Sequence, residues 1–244
     1  MKEINSIDLG KSPYRETWDL QAAIQKRLID EKLAVRKGVF EGERSHDVLM
    51  FVEHPHVYTL GKSGDPAHLL KDEQELAGMN ATYVKTNRGG DITYHGPGQI
   101  VGYPIIDLDR YFTDIHKYMR SLEEVIIRVC SDYGIDAGRI QGLTGTWVGK
   151  SKICAMGVKC SRWVTMHGFA LNVKTNLKYF NNIIPCGIAD KGVTSLELLL
   201  GREIAMDDVK QRIQKHFGAV FGAKVIPVDS LPEFEREFAY FKDK

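Results

Sequence analysis

Arg88-Gly-Gly-Asp-Ile-Thr-Tyr-His-Gly-Pro-Gly-Gln99 is the stretch from which the rest of the chain is read. Its twelve residues hold four glycines, a proline, an arginine and a histidine. Glycine gives up side-chain contacts and costs backbone entropy, so this density implies that something approaches the main chain closely. The expected occupant is a ligand, with Arg88 and His95 able to bind or move charge. The stretch does not end in Gly-Lys-Ser/Thr and lacks the Gly-x-Gly-x-x-Gly spacing of a dinucleotide fold, so its glycines do not indicate a nucleotide.

The segments around it read as alternating types. Ile100–Ile106 is a strand that follows the glycine loop directly, Asp47–Glu53 is a short apolar strand, and His56–Leu60 is the next. Residues 14–36 read as a helix with Trp18, Ala22, Ile29 and Leu33 on one face and Leu20, Ile24 and Leu28 on another, which predicts burial on two sides. Over residues 114–133, Ile115, Tyr118, Leu122, Ile126, Val129 and Tyr133 recur at helical spacing, and Gly134 supplies a stop. Cys130 lies beside that stripe as a core or flank residue. Trp147-Val148 and Lys152–Ala155 flank Gly149-Lys-Ser as a hairpin, and Thr165–Val173 is a strand with a His-Gly inside it. Residues 207–217 form a helix with acids at its start and Lys215 and His216 at its end. Phe234, Phe238 and Phe241 add a C-terminal amphipathic helix, so 206–244 reads as a helical segment. Strands and helices mix without strict alternation, which predicts an α/β fold with a mixed sheet. No repeat, low-complexity tract or Pro/Ser-rich linker interrupts the chain, so residues 1–244 are expected to form one domain.

Composition narrows the function classes. The chain has 244 residues, 43% apolar and 27% charged, as in an ordinary soluble globule. A net charge of +1 favours neither nucleic acid nor an anionic membrane as partner. No run of about 18 apolar residues suggests a membrane span, and Met1-Lys-Glu-Ile-Asn-Ser lacks the apolar core of a secretory signal. Cys130, Cys154, Cys160 and Cys186 are too few and too irregular for a disulfide scaffold, and Cys154 and Cys160 do not have zinc-knuckle spacing. Free thiols in a reducing, cytoplasmic compartment are expected.

Cys186 sits in Ile184-Pro-Cys-Gly-Ile188, where proline and glycine predict a turn. A nucleophile and a small buried hydrophobe are both compatible with that setting. A free thiol with a pKa of ~8.5 is only about 3% ionised at neutral pH. Lowering that pKa by about two units, an interaction of ~2.7 kcal/mol, makes most of it thiolate. One ammonium at ~4 Å can supply this at an effective dielectric near ~20. Lys152 is the candidate because it opens the apolar strand Ile-Cys-Ala-Met, whereas Lys150 sits in the turn. His54, His95 and His167 each stand beside glycine or proline, either as hydrogen-bonded structural residues or, with a cysteine, as a metal site.

The ordered set of motifs closely resembles the octanoyl-acyl-carrier-protein:protein octanoyltransferases, also called lipoate–protein ligase B. It comprises Arg88–Gln99 followed by Ile100-Val-Gly-Tyr-Pro-Ile105, together with Trp18-Asp-Leu-Gln21, Glu53-His-Pro, Val57-Tyr-Thr-Leu-Gly61, Lys152-Ile-Cys-Ala-Met-Gly157, His167-Gly-Phe-Ala-Leu-Asn172, Pro185-Cys-Gly187 and Gly192-Val-Thr-Ser-Leu196. The resemblance implies the single α/β catalytic domain shared with biotin and lipoate ligases. It places the family's nucleophile on Cys186 and its activating lysine on Lys152. Acyl-binding segments fall on Arg88, Gly89, Gly90, Asp91, Ile92, Thr93, Tyr94 and His95, on Ala155, Met156 and Gly157, and on His167, Gly168, Phe169 and Ala170. Cys154 departs from the family pattern, which has a small residue such as alanine there, and it puts a second thiol near Lys152.

The implied reaction moves an octanoyl group from acyl carrier protein to a lysine of a lipoyl domain of the 2-oxoacid dehydrogenases, or of the glycine-cleavage carrier protein, through a cysteine thioester. It requires no cofactor, ATP or metal. Burying six methylenes of the acyl chain is worth on the order of 5 kcal/mol. The rival readings are an ATP-dependent lipoate or biotin ligase of the same fold, a non-catalytic module that binds acyl groups or lipoyl domains, and a zinc hydrolase using His95, His167 and Cys186.

Overall fold

The computed structural model describes residues 2–184 and 191–229. Its strands are β1 (Lys2–Lys11), β2 (Asp47–Glu53), β3 (Val57–Leu60), β4 (Thr82–Lys85), β5 (Ile92–His95), β6 (Gln99–Ile105), β7 (Thr146–Val148), β8 (Ser151–Ser161), β9 (Val164–Asn172), β10 (Gly192–Val193) and β11 (Ala223–Pro227). Its helices are α1 (Tyr14–Arg36), α2 (Glu73–Gly78), α3 (Ile115–Asp132), α4 (Leu196–Leu200) and α5 (Met206–Phe221).

Strand β2 shows why the larger sheet is sandwiched. Val48, Met50 and Val52 join one apolar cluster, and Leu49 and Phe51 join another. Side chains alternate across a strand, so one that is apolar at every position needs cover on both faces. Helix α1 covers the first face through Leu20, Ile24 and Leu28. Helices α3 and α5 cover the second through Leu122, Val125, Ile126, Val129, Ile213 and Phe217. The order is β10-β8-β9-β6-β2-β1-β11, with β7 paired to β8. Strand β1 runs parallel to both β2 and β11, while β2, β6, β9 and β8 are antiparallel in succession, so the sheet is mixed. A second sheet, β4-β3-β5, packs Tyr58, Leu60, Ile92 and Tyr94 against Leu76, Phe180 and Ile183. Among the described residues no helix is long and apolar enough to cross a membrane.

Two expectations change, and strand β1 is an element the sequence reading did not include. Helix α1 buries one face, through Leu20, Gln21, Ile24, Gln25, Leu28 and Lys32, while Ala22 is exposed and Trp18, Ile29 and Leu33 are only partly covered. The polar members of the buried face have backbone partners: Gln25 Nε2 donates to the Val164 carbonyl at 2.8 Å, and Gln21 Oε1 accepts from the His167 N–H at 2.9 Å. Strand β1 has little apolar patterning, since only Ile4, Ser6 and Ile7 are buried along it. The helical segment expected from 206 onward ends at Phe221, because Gly222 turns left-handed (φ +62°) and lets β11 pair with β1. Phe234, Phe238 and Phe241 lie outside the described residues.

A buried ionic cluster ties α1 to the end of β6. Lys32 Nζ reaches Asp107 Oδ1 at 2.7 Å, Asp109 Oδ2 at 2.6 Å and the Arg162 carbonyl at 2.8 Å. Arg44 binds the other oxygen of Asp107 at 2.9 Å, and Asp47 accepts from the Asp107 N–H at 2.9 Å. Burial pushes the Asp47 carboxyl up to about 6 despite Arg110 nearby. Removing one partner of a buried pair leaves an uncompensated charge. Lys32→Met is therefore expected to lower unfolding free energy by about 3 kcal/mol in urea titrations. A loss below about 1 kcal/mol would show that Arg44 alone satisfies Asp107.

Candidate active site

A cavity of about 550 Å³ opens between the two sheets. Three segments build its walls: the loop and strand from Arg88 to Thr93 with His95, the middle of β8 from Ala155 to Val158, and the middle of β9 from His167 to Ala170. Lys152, Trp147 and residues 142–144 lie on the wall, as do Lys191, Gly192 and Val193. Of the expected acyl-binding residues, only Tyr94 faces away. Its ring stacks on Tyr179 with centroids 5.0 Å apart, and its hydroxyl bonds His56 Nδ1 at 2.7 Å. Neighbouring residues of a strand point to opposite faces, so Thr93 and His95 cannot share a side with Tyr94.

Two of the four glycines of the opening stretch, Gly96 and Gly98, serve a different purpose from the one expected, as do Gly157 and Gly168. A Cβ on Gly96 would collide with the Tyr94 hydroxyl, and one on Gly98 would lie 2.6 Å from the Lys174 carbonyl oxygen. A Cβ on Gly157 would lie 2.9 Å from the Gly89 carbonyl oxygen and 3.2 Å from Arg88 Cδ. Gly168, in register with Gly157, is crowded by the Gly102 carbonyl and Pro104. What approaches the main chain at these points is the protein itself. Gly89 and Gly90 do line the cavity.

The histidines are organised by hydrogen bonds. His54 Nδ1 lies 2.7 Å from the Ser12 carbonyl, which can only accept, so Nε2 accepts from the Tyr103 hydroxyl at 2.8 Å. His95 Nδ1 lies 2.8 Å from Gln99 Oε1, and its Nε2 faces Thr59 Oγ1 at 3.4 Å. Thr59 Oγ1 in turn accepts from Arg88 at 3.0 Å. Gln99 Nε2 donates to Asn172 Oδ1 at 2.9 Å, and Asn172 Nδ2 donates to the Thr194 carbonyl at 3.1 Å. One directed chain thus runs from Arg88 through Thr59, His95, Gln99 and Asn172 to Thr194. His167 lies in β9 with a left-handed φ of +61°, and its Nε2 bonds Asn87 Oδ1 at 2.7 Å. Among the described residues, no group of three His, Cys, Asp or Glu side chains is placed to hold a metal ion.

Lys152 stands on β8 at an irregular step in its pairing with β7. Trp147 pairs with Lys152 but Thr146 pairs with Cys154, so Ile153 has no opposite number. Such a bulge re-aims side chains. Cys154 is fully buried in the core, and its Sγ donates to the Ala155 carbonyl at 3.6 Å. Burial drives its thiol well above the usual range, with neighbouring Cys130 adding to the effect; the opposing pull of Lys152 is smaller. Cys186 lies outside the described residues. The described chain resumes at Lys191, and Val193 of β10 pairs in register with Lys152.

Gln99, Asn172, Thr59, Tyr103 and Trp147 are parts of the site that sequence reasoning did not single out as functional. Gln99 and Asn172 were legible only as members of recurring motifs. Thr59 and Tyr103 likewise lie in quoted motifs, but as polar side chains inside apolar strands they carry no signal of their own.

These features define an α/β protein with a mixed sheet and a partly apolar cavity flanked by a lysine. Residues 13–218 match the lipoyl protein ligase A/B catalytic domain family, and the chain belongs to it. It is 55% identical over 232 residues to an octanoyltransferase of Christiangramia forsetii, covering 92% of this chain and 98% of that protein. It is 54% identical over 231 residues to an octanoyltransferase of Flavobacterium johnsoniae, covering 92% and 99%. Among solved structures, lipoate-protein ligase A bound with ATP superposes with a TM-score of 0.71 at 16% identity, covering 100% of this chain and 95% of that one. The bipartite lipoate protein ligase of Thermoplasma acidophilum, described with its E2 lipoyl domain, gives 0.70 at 15% identity, covering 100% and 93%. At these identities the likeness to the two structures concerns the fold.

Burial holds His54 down to about 4, and His95 and His167 down to about 3. An imidazole ordinarily titrates near ~6.5, so below that pH the unfolded chain takes up protons that the folded chain refuses. The stability these histidines contribute is complete above pH ~6.5 and is lost as pH falls toward their folded values, at about 1.4 kcal/mol per pH unit for each. Asp47, raised to about 6, works in the opposite sense between its unfolded value and that pH. Urea unfolding of the wild type and of His95→Asn at pH 5.5 and 4.5 is expected to show a slope shallower by about 1.4 kcal/mol per pH unit in the variant. Equal slopes would mean that His95 is not held neutral.

Proposed function

We propose that the chain is a single catalytic acyltransferase domain that moves an octanoyl group from acyl carrier protein to a lysine of a lipoyl domain, by way of a thioester on Cys186. The observation that carries this reading is Lys152 on the wall of the cavity that residues 88–93, 155–158 and 167–170 enclose. The volume of about 550 Å³ suits a small acyl group, since ligand cavities span roughly 300–1,000 Å³. The octanoyltransferases that align along nearly their whole length support the same reaction.

In this reading the Cys186 thiolate attacks the carrier's thioester carbonyl. A new carbon–sulfur bond forms as the carrier's carbon–sulfur bond breaks, the departing sulfur takes a proton from the Lys152 ammonium, and an acyl-enzyme remains. The ε-amine of the acceptor lysine then attacks the acyl carbon, an amide forms and the Cys186 sulfur leaves. Lys152 as a cation stabilises the thiolate, and as a neutral amine it takes the proton that the acceptor amine releases. The pairing of β10 with β8 supports this assignment, because it brings the chain back beside Lys152 shortly after Cys186. Cys154 is unsuited to the role, being buried, hydrogen-bonded and disfavoured as an anion. Arg88, with its guanidinium bonded to the Thr59 carbonyl at 2.6 Å and to its hydroxyl, acts as a wall element that orders the loop. Lipoyl domains of 2-oxoacid dehydrogenases and the glycine-cleavage carrier are the proposed acceptors, and the cytoplasm is the proposed site of action.

Mixing the protein with octanoylated acyl carrier protein is expected to add one octanoyl group to a peptide containing Cys186, removable by hydroxylamine. Label on Cys154, or no covalent label, would sink the assignment. Lys152→Ala is expected to fold and to slow both half-reactions about 100-fold or more. Octanoate with ATP and no carrier protein should leave a lipoyl domain unmodified, and product there would favour an adenylating ligase.

A further inference from the structure

Lys152 reaches over a buried aromatic ring. Its Nζ stands 4.7 Å from the centroid of the Trp147 ring, and the two residues are register partners across the β7–β8 hairpin. An ammonium within about 6 Å of an aromatic centroid is attracted by the negative face of the ring, more strongly when water is kept away. Trp147 is only 4% exposed and shares the cavity wall with Lys152. The lysine stem also runs past Gly145, where an added Cβ would be in ordinary contact, 3.5 Å from both Lys152 Cδ and Cε.

Gly145 is itself pinned. It has a φ of +110°, and its N–H donates to Glu123 Oε1 at 3.0 Å. Glu123 is fully buried, and its other oxygen accepts from Arg120 at 2.6 Å and Arg139 Nε at 3.0 Å. A lysine has a flexible four-carbon stem and a compact charge, so without such contacts its ammonium would sample a wide volume. The Trp147 ring narrows that volume.

We propose that Trp147 is a positioning residue: the face of its ring fixes the Lys152 ammonium at the cavity wall. The inference rests on Lys152 acting in the reaction proposed above. The Trp147 indole N–H has no hydrogen-bond partner among the described residues, so a second role as a donor to substrate is separable by experiment.

The test replaces Trp147 alone with 5-fluoro-, 5,7-difluoro- and 5,6,7-trifluorotryptophan, which keep the shape of the ring and its N–H while draining its negative face. Trp147→Phe keeps a ring face without the N–H, and Trp147→Leu removes both. The readouts are acyl-enzyme formation from octanoylated acyl carrier protein, kcat and KM for the lipoyl domain, and thermal melting. The rate should fall stepwise with fluorine content to roughly tenfold below wild type, with KM within about twofold and the melting temperature unchanged. Trp147→Phe should stay within about threefold of wild type and Trp147→Leu should fall at least as far as the trifluoro protein. A rate indifferent to fluorination, or a phenylalanine variant as slow as the leucine one, overturns the proposal. If unsubstituted protein forms no acyl-enzyme, the reaction itself is wrong, and that outcome is distinct from fluorine indifference in an active enzyme.

Discussion

Thr59, on the small sheet, receives a hydrogen bond from Arg88 and passes one to His95; His95 passes one to Gln99 at the start of β6, and Gln99 to Asn172 at the end of β9. The last link, from Asn172 to the Thr194 carbonyl, reaches the segment that follows β10. Every member is buried. Inside a protein each unmet donor or acceptor costs more than a met one contributes, so such a chain is stable only when complete. Its direction also fixes the tautomer of His95, with the proton on Nδ1. The two sheets are thereby locked at one spacing, and that spacing is the cavity.

Close approach of backbone to backbone maintains the walls. Gly157 admits the Arg88–Gly89 loop to β8, Gly168 admits β6 to β9, and Gly96 makes room for the Tyr94 hydroxyl. Side chains at these positions would push the loop off the sheet and open the cavity. Within the signature, Gly96 and Gly98 shape the site by letting the protein pack against itself, while Gly89 and Gly90 face the cavity.

The thiols illustrate how burial and charge compete. Cys154 follows Lys152 by two residues, yet its sulfur sits in the apolar core beside Cys130. Desolvation outweighs the nearby ammonium there, so proximity in sequence to a cation does not make a reactive thiol. The same balance keeps His54, His95 and His167 neutral, since burial opposes a positive charge and Arg88 adds to the effect at His95 and His167. A cavity framed by neutral imidazoles, aromatic rings and aliphatic side chains is compatible with an acyl chain, and Lys152 brings positive charge to its edge.

The sequence by itself determined the fold class, the span of β2 and α3 to within a residue and the β7–β8 hairpin, because apolar periodicity and turn residues act locally; the three segments that meet at the cavity were legible only through the family resemblance of their motifs. It could not reveal β1, whose strand is held by pairing on both sides rather than by an apolar pattern, nor that α1 buries only one face. Tyr94 and Thr93 are adjacent letters with opposite fates, and only the register against β3 decides which one faces the cavity. The links from Arg88 and Thr59 through Gln99 and Asn172 to Thr194 join positions far apart in the chain. Contacts of that kind depend on which strands become neighbours, and that is fixed when the sheets assemble around a shared core.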